Sequence, residues 1–287
     1  MGSFQLLTCH YAIGATRQRF APAHLRAILL KCLSQGDVQI MFSSARQKVA
    51  RAKKQIFEID DILEGHFANA GCQLVCERGP DSRYSVRIIA NIEMPEVCSV
   101  IIGDVVHNLR SALEHVASDL IAAKEGNNAR SGSMFPMGEK MIELENYVKN
   151  NKLTALYPEF ADIVLNQIRP SKEGNRVLWA CGKLWNIDKH RLPIVSVAVT
   201  YVENLRFRDE RNNVITASAE VIEGKIIKLA KLSTPIKIID NGRMHFCAYL
   251  DEADVLEHES LFDVLMHMHD EVQKSIDLLE PLMTKYN

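Results

Sequence analysis

The sequence lacks any apolar run long enough to cross a bilayer, for which a helix needs about 20 residues. It also lacks an excess of charge of one sign, since 34 basic and 36 acidic side chains give a formal net charge of −2. No global basic field is available to attract nucleic acid, so RNA binding would need a local patch. Because no apolar run is long enough to cross a bilayer, we expect no membrane partner.

The sequence also lacks the paired cysteines of a secreted disulfide protein. Its seven cysteines are scattered and odd in number, which favours reduced thiols and a cytoplasmic location. On a strand, the close pair Cys72 and Cys76 would lie about 13 Å apart, too far to chelate one ion. The N-terminal stretch has no continuous apolar run followed by a small-residue cleavage site, so no secretory signal is expected.

Several sequence motifs of catalysis are missing. There is no GxGxxG, Walker A, GxSxG, protein-kinase or HExxH pattern, so we predict no cofactor and no metal site. His267 and His269 lie two apart in a predicted helix and therefore face different sides. A metal-dependent hydrolase stays an alternative, because His107, His115, Asp188 and His190 are ligand types.

Periodicity divides the chain into helices and strands. Apolar residues at helical spacing predict helices at 41–69 (with Ser43 or Ser44 as the N-cap), 96–123, about 138–150, 157–168, 175–191 and 258–283. Alternating patterns predict a hairpin within 72–93 around GPDS, and strands at 194–202, 214–221, 225–230 and 236–250, the last with a turn at DNG.

This order predicts an α+β fold, with a helical-bundle core that carries an inserted β-hairpin and a later antiparallel sheet. We expect residues 1–40 to form a loose N-terminal extension and residues 41–287 a single composite domain. Residues 192–250 could form a separate lobe, but no linker-like composition separates them.

Two polar clusters stand out in apolar helices: GDVVHNLRSALEH at 103–115 and WNIDKHR at 185–191. On the first helix a polar stripe lies opposite a core stripe that runs from Val105 to Leu120. The polar stripe comprises Asp104, His107, Asn108, Ser111, Glu114, His115 and Ser118. If the two helices pack, both clusters could face one another. The candidate binding residues are His107, Asn108, Glu114, Asn186, Asp188, Lys189, His190 and Arg191.

The same residues have structural interpretations. Arg110 and Glu114 are spaced as an ordinary i,i+4 surface pair, and basic residues near a helix end are favoured by the helix dipole. The polar set could also be a buried hydrogen-bond network that fixes the register of the two helices. In that case the residues would be needed for folding and not for turnover.

The motifs LRSALEHVASDL, FP (Phe135 and Pro136), IRPSKEGNRVLW and LWNIDKHRL resemble those of a widespread family of bacterial proteins. Members show an nLRsaLDh helix, an FP loop, a qPy turn and a NiDKHR helix, and the resemblance covers about residues 45–200. The family has no established activity, so the resemblance implies a motif set and no chemistry. This chain departs from it at Glu114, where Asp is common, and at the turn 169–171, where an aromatic is common.

Arg110 and His115 in a helical bundle also resemble the R-x4-6-H signature of the HEPN superfamily, which includes metal-independent ribonucleases. This resemblance implies that His115 is a general base and that Arg110 stabilises the phosphorane-like oxyanion. Lys189 and His190 would then contact phosphate or act as a second acid. Ser111 departs from the signature, in which a more strongly polar residue often follows the Arg.

Three hypotheses follow. The first is a HEPN-like, metal-independent protein that cleaves or binds RNA, with Arg110 and His115 as catalytic residues, RNA as partner and a homodimer as assembly. The second is a non-enzymatic structural or binding module, and the third is a metal-dependent hydrolase. Convergence of the side chains in an open cleft would favour chemistry, and convergence in a dry core would favour structure.

Overall fold

A computed structural model describes residues 42–68, 72–79, 81, 83–90, 94–125, 134–222, 225–226, 233–252, 255 and 259–286. The predicted extension at 1–40 lies outside these residues. The described part belongs to one compact unit. None of its helices is long and apolar enough to cross a membrane.

The helices follow the predicted order, and the fold is α+β, as predicted from the sequence. They are α1 (Ser43–Ala68), α2 (Glu96–Glu125), α3 (Met141–Asn150), α4 (Leu153–Leu156), α5 (Pro158–Asp162), α6 (Arg176–Asp188) and α7 (Leu261–Tyr286). A π-helical turn, Ile163–Ile168, continues α5. Pro158 occupies the first turn of α5, where a missing N–H costs nothing.

The strands are β1 (Cys72–Arg78), β2 (Tyr84–Ala90), β3 (Val195–Arg208), β4 (Val214–Ile222), β5 (Lys225–Ile226), β6 (Lys237–Asp240) and β7 (Arg243–Leu250). The hairpin β1–β2 and the four-stranded sheet of β3, β4, β6 and β7 are both antiparallel, and the two-residue β5 links them. Gly242, at φ 68°, makes the predicted turn before β7, since a left-handed backbone favours glycine.

Helix α2 lies at the centre of the helical core, where it packs against α1, α6 and α7. The apolar stripe predicted from its sequence is buried as expected: Val105, Leu109, Leu113 and Val116 are fully inaccessible. Truncating one such leucine to alanine typically costs about 2–5 kcal/mol. This packing fixes α2 rigidly and so determines which way its polar residues point.

Several predicted boundaries differ from the structure. Helix α6 ends at Asp188, and Lys189 and His190 form a turn, so the prediction of a helix to Arg191 is wrong. Helix α1 begins at Ser43, and the carbonyl of the preceding residue, Phe42, accepts the first helical hydrogen bond from Arg46 N–H. Phe42 is therefore the N-cap, and the prediction of Ser43 or Ser44 is wrong. The predicted strand 225–230 ends at residue 226 within the described part, and 227–230 lie outside it.

The segment 134–140 runs beside the turn at 170–172. Gly138 N–H donates to the Pro170 carbonyl at 3.2 Å, and Lys172 N–H donates to the Glu139 carbonyl at 3.0 Å. The Tyr147 hydroxyl of α3 donates to the Met134 carbonyl at 3.1 Å. These bonds hold the FP loop against the helical core, next to α2 and α6.

Candidate functional site

The two helices that carry the polar clusters pack closely, which was the condition for the clusters to face one another. A Cβ atom at Gly103 of α2 would lie 2.1 Å from Asp188 Oδ1 of α6. Only glycine leaves room for this carboxylate. Burial raises the pKa of Asp188; the nearby Asp104 adds to this effect, and His107 opposes it.

Arg110 is buried at the junction of α2 with the FP loop, and only 4% of its surface is exposed. It forms an ion pair with Glu114 one turn later, and its Nη2 donates to the Phe135 carbonyl at 3.0 Å. Phe135 N–H donates to Glu114 Oε2 at 2.6 Å. Arg110 and Glu114 therefore satisfy the carbonyl and the N–H of Phe135. The i,i+4 spacing of the two residues does not reveal this role.

Burial dominates the electrostatics of this pair. Burial lowers the pKa of Arg110, and the Glu114 charge partly offsets the effect. Burial raises the pKa of Glu114, while Arg110 and the Phe135 N–H oppose the rise. A buried charge without its partner is strongly disfavoured, so each member depends on the other.

His107 lies on the exposed edge between α2 and α6. Trp185 Nε1 donates to His107 Nδ1 at 3.3 Å, and His107 Nε2 lies 3.3 Å from Ser111 Oγ. Since Nδ1 accepts, the neutral ring carries its proton on Nε2 and donates to Ser111. Both ring nitrogens are thus engaged within the protein.

His115 and Asn108 face α1 and not α6. His115 Nδ1 lies 2.9 Å from Ser44 Oγ. Asn108 accepts from Lys48 Nζ at 3.1 Å and donates to Gln55 Oε1 at 2.8 Å. Gln55 in turn donates to Asp104 Oδ2 at 3.2 Å, which completes a polar ladder between the two helices. Arg110 and His115 therefore contact different neighbours of α2.

The residues of the second cluster, 185–191, also have different partners. Asn186 accepts from Lys189 Nζ at 3.3 Å, and this ammonium lies 3.1 Å from the centroid of the Trp185 ring. The side chain of His190 is exposed, and its backbone N–H donates to the Ile187 carbonyl.

Arg191 points away from α2 and binds a carboxylate near the end of β7. Its Nη1 and Nη2 donate to Glu252 Oε1 and Oε2 at 2.8 and 2.7 Å. The side chain of Glu252 is only 2% exposed, and it also accepts from Ile194 N–H at 2.7 Å. Hydrogen bonding to Glu252 raises the pKa of Arg191. Arg191 thus neutralises a buried carboxylate where the helical core meets the sheet.

The segments that carry the family resemblance surround one cleft of about 340 Å³, which we call the motif cleft. Its walls come from α2, from the segment 134–140, from α3 and from α6. The lining residues are Arg110, Met134, Phe135, Met137, Gly138, Glu139, Glu143, Tyr147, Trp179, Gly182, Lys183, Trp185 and Asn186. The motifs are thus brought together in space, and the guanidinium carbon of Arg110 lies 5.6 Å from the centroid of the Trp185 ring.

A larger cavity, of about 730 Å³, lies elsewhere, between α1, β7 and α7. Its walls include three aromatic residues, Phe67, Phe246 and Phe262, and the rings of Phe67 and Phe246 stack at 4.6 Å. None of the predicted site residues lines it. We place the candidate site in the smaller motif cleft, because buried charge and unpaired polar atoms occur there.

Metal and thiol chemistry find little support in the described part of the chain. No group of three or more His, Cys, Asp or Glu side chains there is placed to hold a metal ion. Cys181, on α6 next to the cleft, is fully buried, and this burial raises the pKa of its thiol to about 12. A thiol that stays protonated is a poor nucleophile.

Comparisons of the chain with models of known protein families, with curated proteins and with solved structures find no match. The family and superfamily resemblances therefore stay predictions. The site is interpreted from its own geometry.

Sequence reasoning missed the partners that complete the site. Tyr147, Lys183 and Glu252 were not predicted, and Phe135 and Trp179 were noted only as parts of motifs. One signal was present: both tryptophans of the chain lie on α6, six residues apart. A bulky aromatic pair on a helix that carries polar residues indicates a surface pocket or an interface.

Proposed function

We propose that this protein is a non-catalytic binding module whose binding site is the motif cleft. The observation that supports this function is the state of Arg110, which is 4% exposed and bound to Glu114 and to the Phe135 carbonyl. A catalytic arginine must meet the substrate phosphate together with the general base. Here the arginine holds the cleft wall together.

The ribonuclease hypothesis needs Arg110 and His115 at one phosphate. His115 instead hydrogen-bonds Ser44 on α1, whereas Arg110 contacts the FP loop and lies 5.6 Å from the Trp185 ring centroid. Arg110 and His115 thus contact different neighbours of α2, and a phosphate that binds the unpartnered N–H groups of Arg110 would not meet His115 in this arrangement. RNA as a partner, a homodimer and a cytoplasmic location remain predictions from the sequence.

The test is an RNA-cleavage assay on the purified wild-type protein and on the variants Arg110→Ala and His115→Ala, each with and without divalent metal. The binding-module proposal expects intact RNA in every reaction, with thermal unfolding shifted far more by Arg110→Ala than by His115→Ala. Cleavage by the wild type that disappears in a folded His115→Ala variant would overturn it in favour of the nuclease. Cleavage only with divalent metal would favour the hydrolase.

A further inference from the structure

Two side chains that line the motif cleft hold buried N–H groups without an acceptor. Among the described residues, the buried side-chain donors with no hydrogen-bond partner are Nε and Nη1 of Arg110 and Nε1 of Trp179. Each of the two residues is 4% exposed, and both line the cleft. A buried unsatisfied donor typically costs about 1–3 kcal/mol, so this place favours a ligand that brings acceptor atoms.

Cations gather over the two indole rings. The Nζ atoms of Lys172 and Lys183 lie 5.1 and 5.5 Å from the Trp179 centroid. Lys189 Nζ lies 3.1 Å from the Trp185 centroid, and the Arg110 guanidinium carbon lies 5.6 Å from it. Positive charges on adjacent rings create a local field that favours an anion.

The carboxylates of the cleft already have partners inside the protein. Glu139 Oε2 pairs with Lys183 Nζ at 2.8 Å. Glu143 Oε2 accepts the backbone N–H groups of Glu139 and Lys140 at the start of α3. The charges of Glu139 and Lys183 therefore offset one another, and two backbone N–H groups stabilise the Glu143 carboxylate.

The wall above the buried donors can adapt. Met134 and Met137 line the cleft, and methionine side chains rearrange easily. A Cβ at Gly182 would lie 2.8 Å from Met137 Sδ, so glycine at this position provides the room in which that thioether sits. Rearrangement of the Met134 and Met137 side chains would change the shape of the cleft without moving a helix.

We propose that the motif cleft binds a small oxyanion, a carboxylate or a phosphate, whose oxygens accept from Arg110 and from Trp179 Nε1. Lys172 and Lys189, whose ammonium groups lie over the two indole rings, supply the attracting charge, and Lys183, which is paired with Glu139, provides a donor on the cleft wall. This inference rests on the proposed binding function and names the chemical class of its ligand. Charge-assisted hydrogen bonds are about twice as strong as neutral ones, which suits recognition by a guanidinium.

The chain offers a direct readout, because its two tryptophans both line the cleft. In a nitrogen–proton correlation spectrum, we expect the Trp179 indole N–H to shift saturably on addition of inorganic phosphate or of acetate. Chloride at the same ionic strength serves as the control. The stronger of the two titrations identifies the anion class.

Variants localise the effect without depending on Arg110, whose loss could unfold the chain. Trp179→Phe keeps an aromatic side chain, although a smaller one, and removes the N–H donor. We expect binding, followed through the Trp185 indole, to weaken about tenfold. Lys183→Gln should also weaken binding. The matched control is Lys274→Gln, since Lys274 likewise pairs with a glutamate, Glu271, but on α7 away from the cleft.

The inference is overturned if neither anion shifts the Trp179 indole saturably, or if chloride does so equally. It is also overturned if Lys274→Gln weakens binding as much as Lys183→Gln. If RNA stays intact and no anion binds, only this inference fails. If the protein cleaves RNA, the proposed function fails whatever the anion titration shows.

Discussion

Helix α2 holds its polar residues in two different ways on its two sides. Towards the FP loop, Arg110 and Glu114 are enclosed with the Phe135 peptide and depend on one another for charge and hydrogen bonding. Towards α1, His115 makes one hydrogen bond and Asn108 makes two, at a partly exposed seam. Polar residues of one sequence motif thus contribute differently to the stability of the fold, because they are buried to different extents.

The largest expected effect is the loss of the buried arginine. Arg110→Ala leaves the partly buried Glu114 without its cation and the Phe135 carbonyl without a donor. We expect the free energy of unfolding to fall by about 3 kcal/mol, the lower end of the range for breaking a buried pair. Chemical denaturation measures this change. His115→Ala is the matched control, with an expected loss of about 1 kcal/mol or less.

A double variant sharpens the reason for that loss. Arg110→Met with Glu114→Leu removes both charges, so it should be more stable than Arg110→Ala. It should stay below the wild type, because both polar groups of Phe135 lose their partners. A double variant as unstable as Arg110→Ala would show that the loop peptide, and not the unpaired carboxylate, dominates.

The next effect tests the contact between α2 and α6. Gly103→Ala would place a methyl group 2.1 Å from Asp188 Oδ1, and we expect a loss of about 1–3 kcal/mol. Asp188→Ala in the same chain should restore most of it. The control is Gly65→Ala in α1, where a Cβ meets nothing within 4 Å, and where alanine should add about 0.5–1 kcal/mol. An equal response at the two glycines would contradict the close packing.

Asp119 contrasts with Glu114 further along α2, because its Oδ2 is buried with no partner. Burial raises its pKa to about 6, against about 3.9 in an unfolded chain. Between these values the folded state holds a proton that the unfolded state releases, so Asp119 lowers stability as the pH rises from about 4 to 6. Asp119→Asn should remove this decline and gain about 2 kcal/mol at neutral pH.

Denaturation curves across that pH window measure the Asp119 effect. The control is Asp61→Asn, which removes one negative charge from an exposed position on α1. An unchanged profile in Asp119→Asn would show that the carboxylate is solvated in the folded protein.

The fold was largely predictable because helical and strand periodicity is local. The stripe from Val105 to Leu120 identified the buried face of α2, and GPDS located the turn of the hairpin. The end of α6 at Asp188 was missed, since Lys189 and His190 are compatible with a helix and Pro193 is the first clear stop.

The site was predictable only in part. The two clusters and the face that each occupies followed from helical spacing, whereas the packing of the two helices was only a condition of the hypothesis. The burial of Arg110 did not, because a sequence pattern places an arginine on the polar side unless a partner is known. Its partner Phe135 is 25 residues away, Glu252 lies 61 residues from Arg191, and Ser44 lies 71 residues from His115. Such contacts depend on the tertiary fold.

The most direct test of the account is a pair of double-mutant cycles measured by chemical denaturation. One cycle combines Arg110→Ala with Glu114→Ala, and the other combines Arg110→Ala with His115→Ala. We predict a coupling free energy of about 2 kcal/mol or more in the first, and additivity within about 0.5 kcal/mol in the second. Strong coupling between Arg110 and His115, with none between Arg110 and Glu114, would contradict the account.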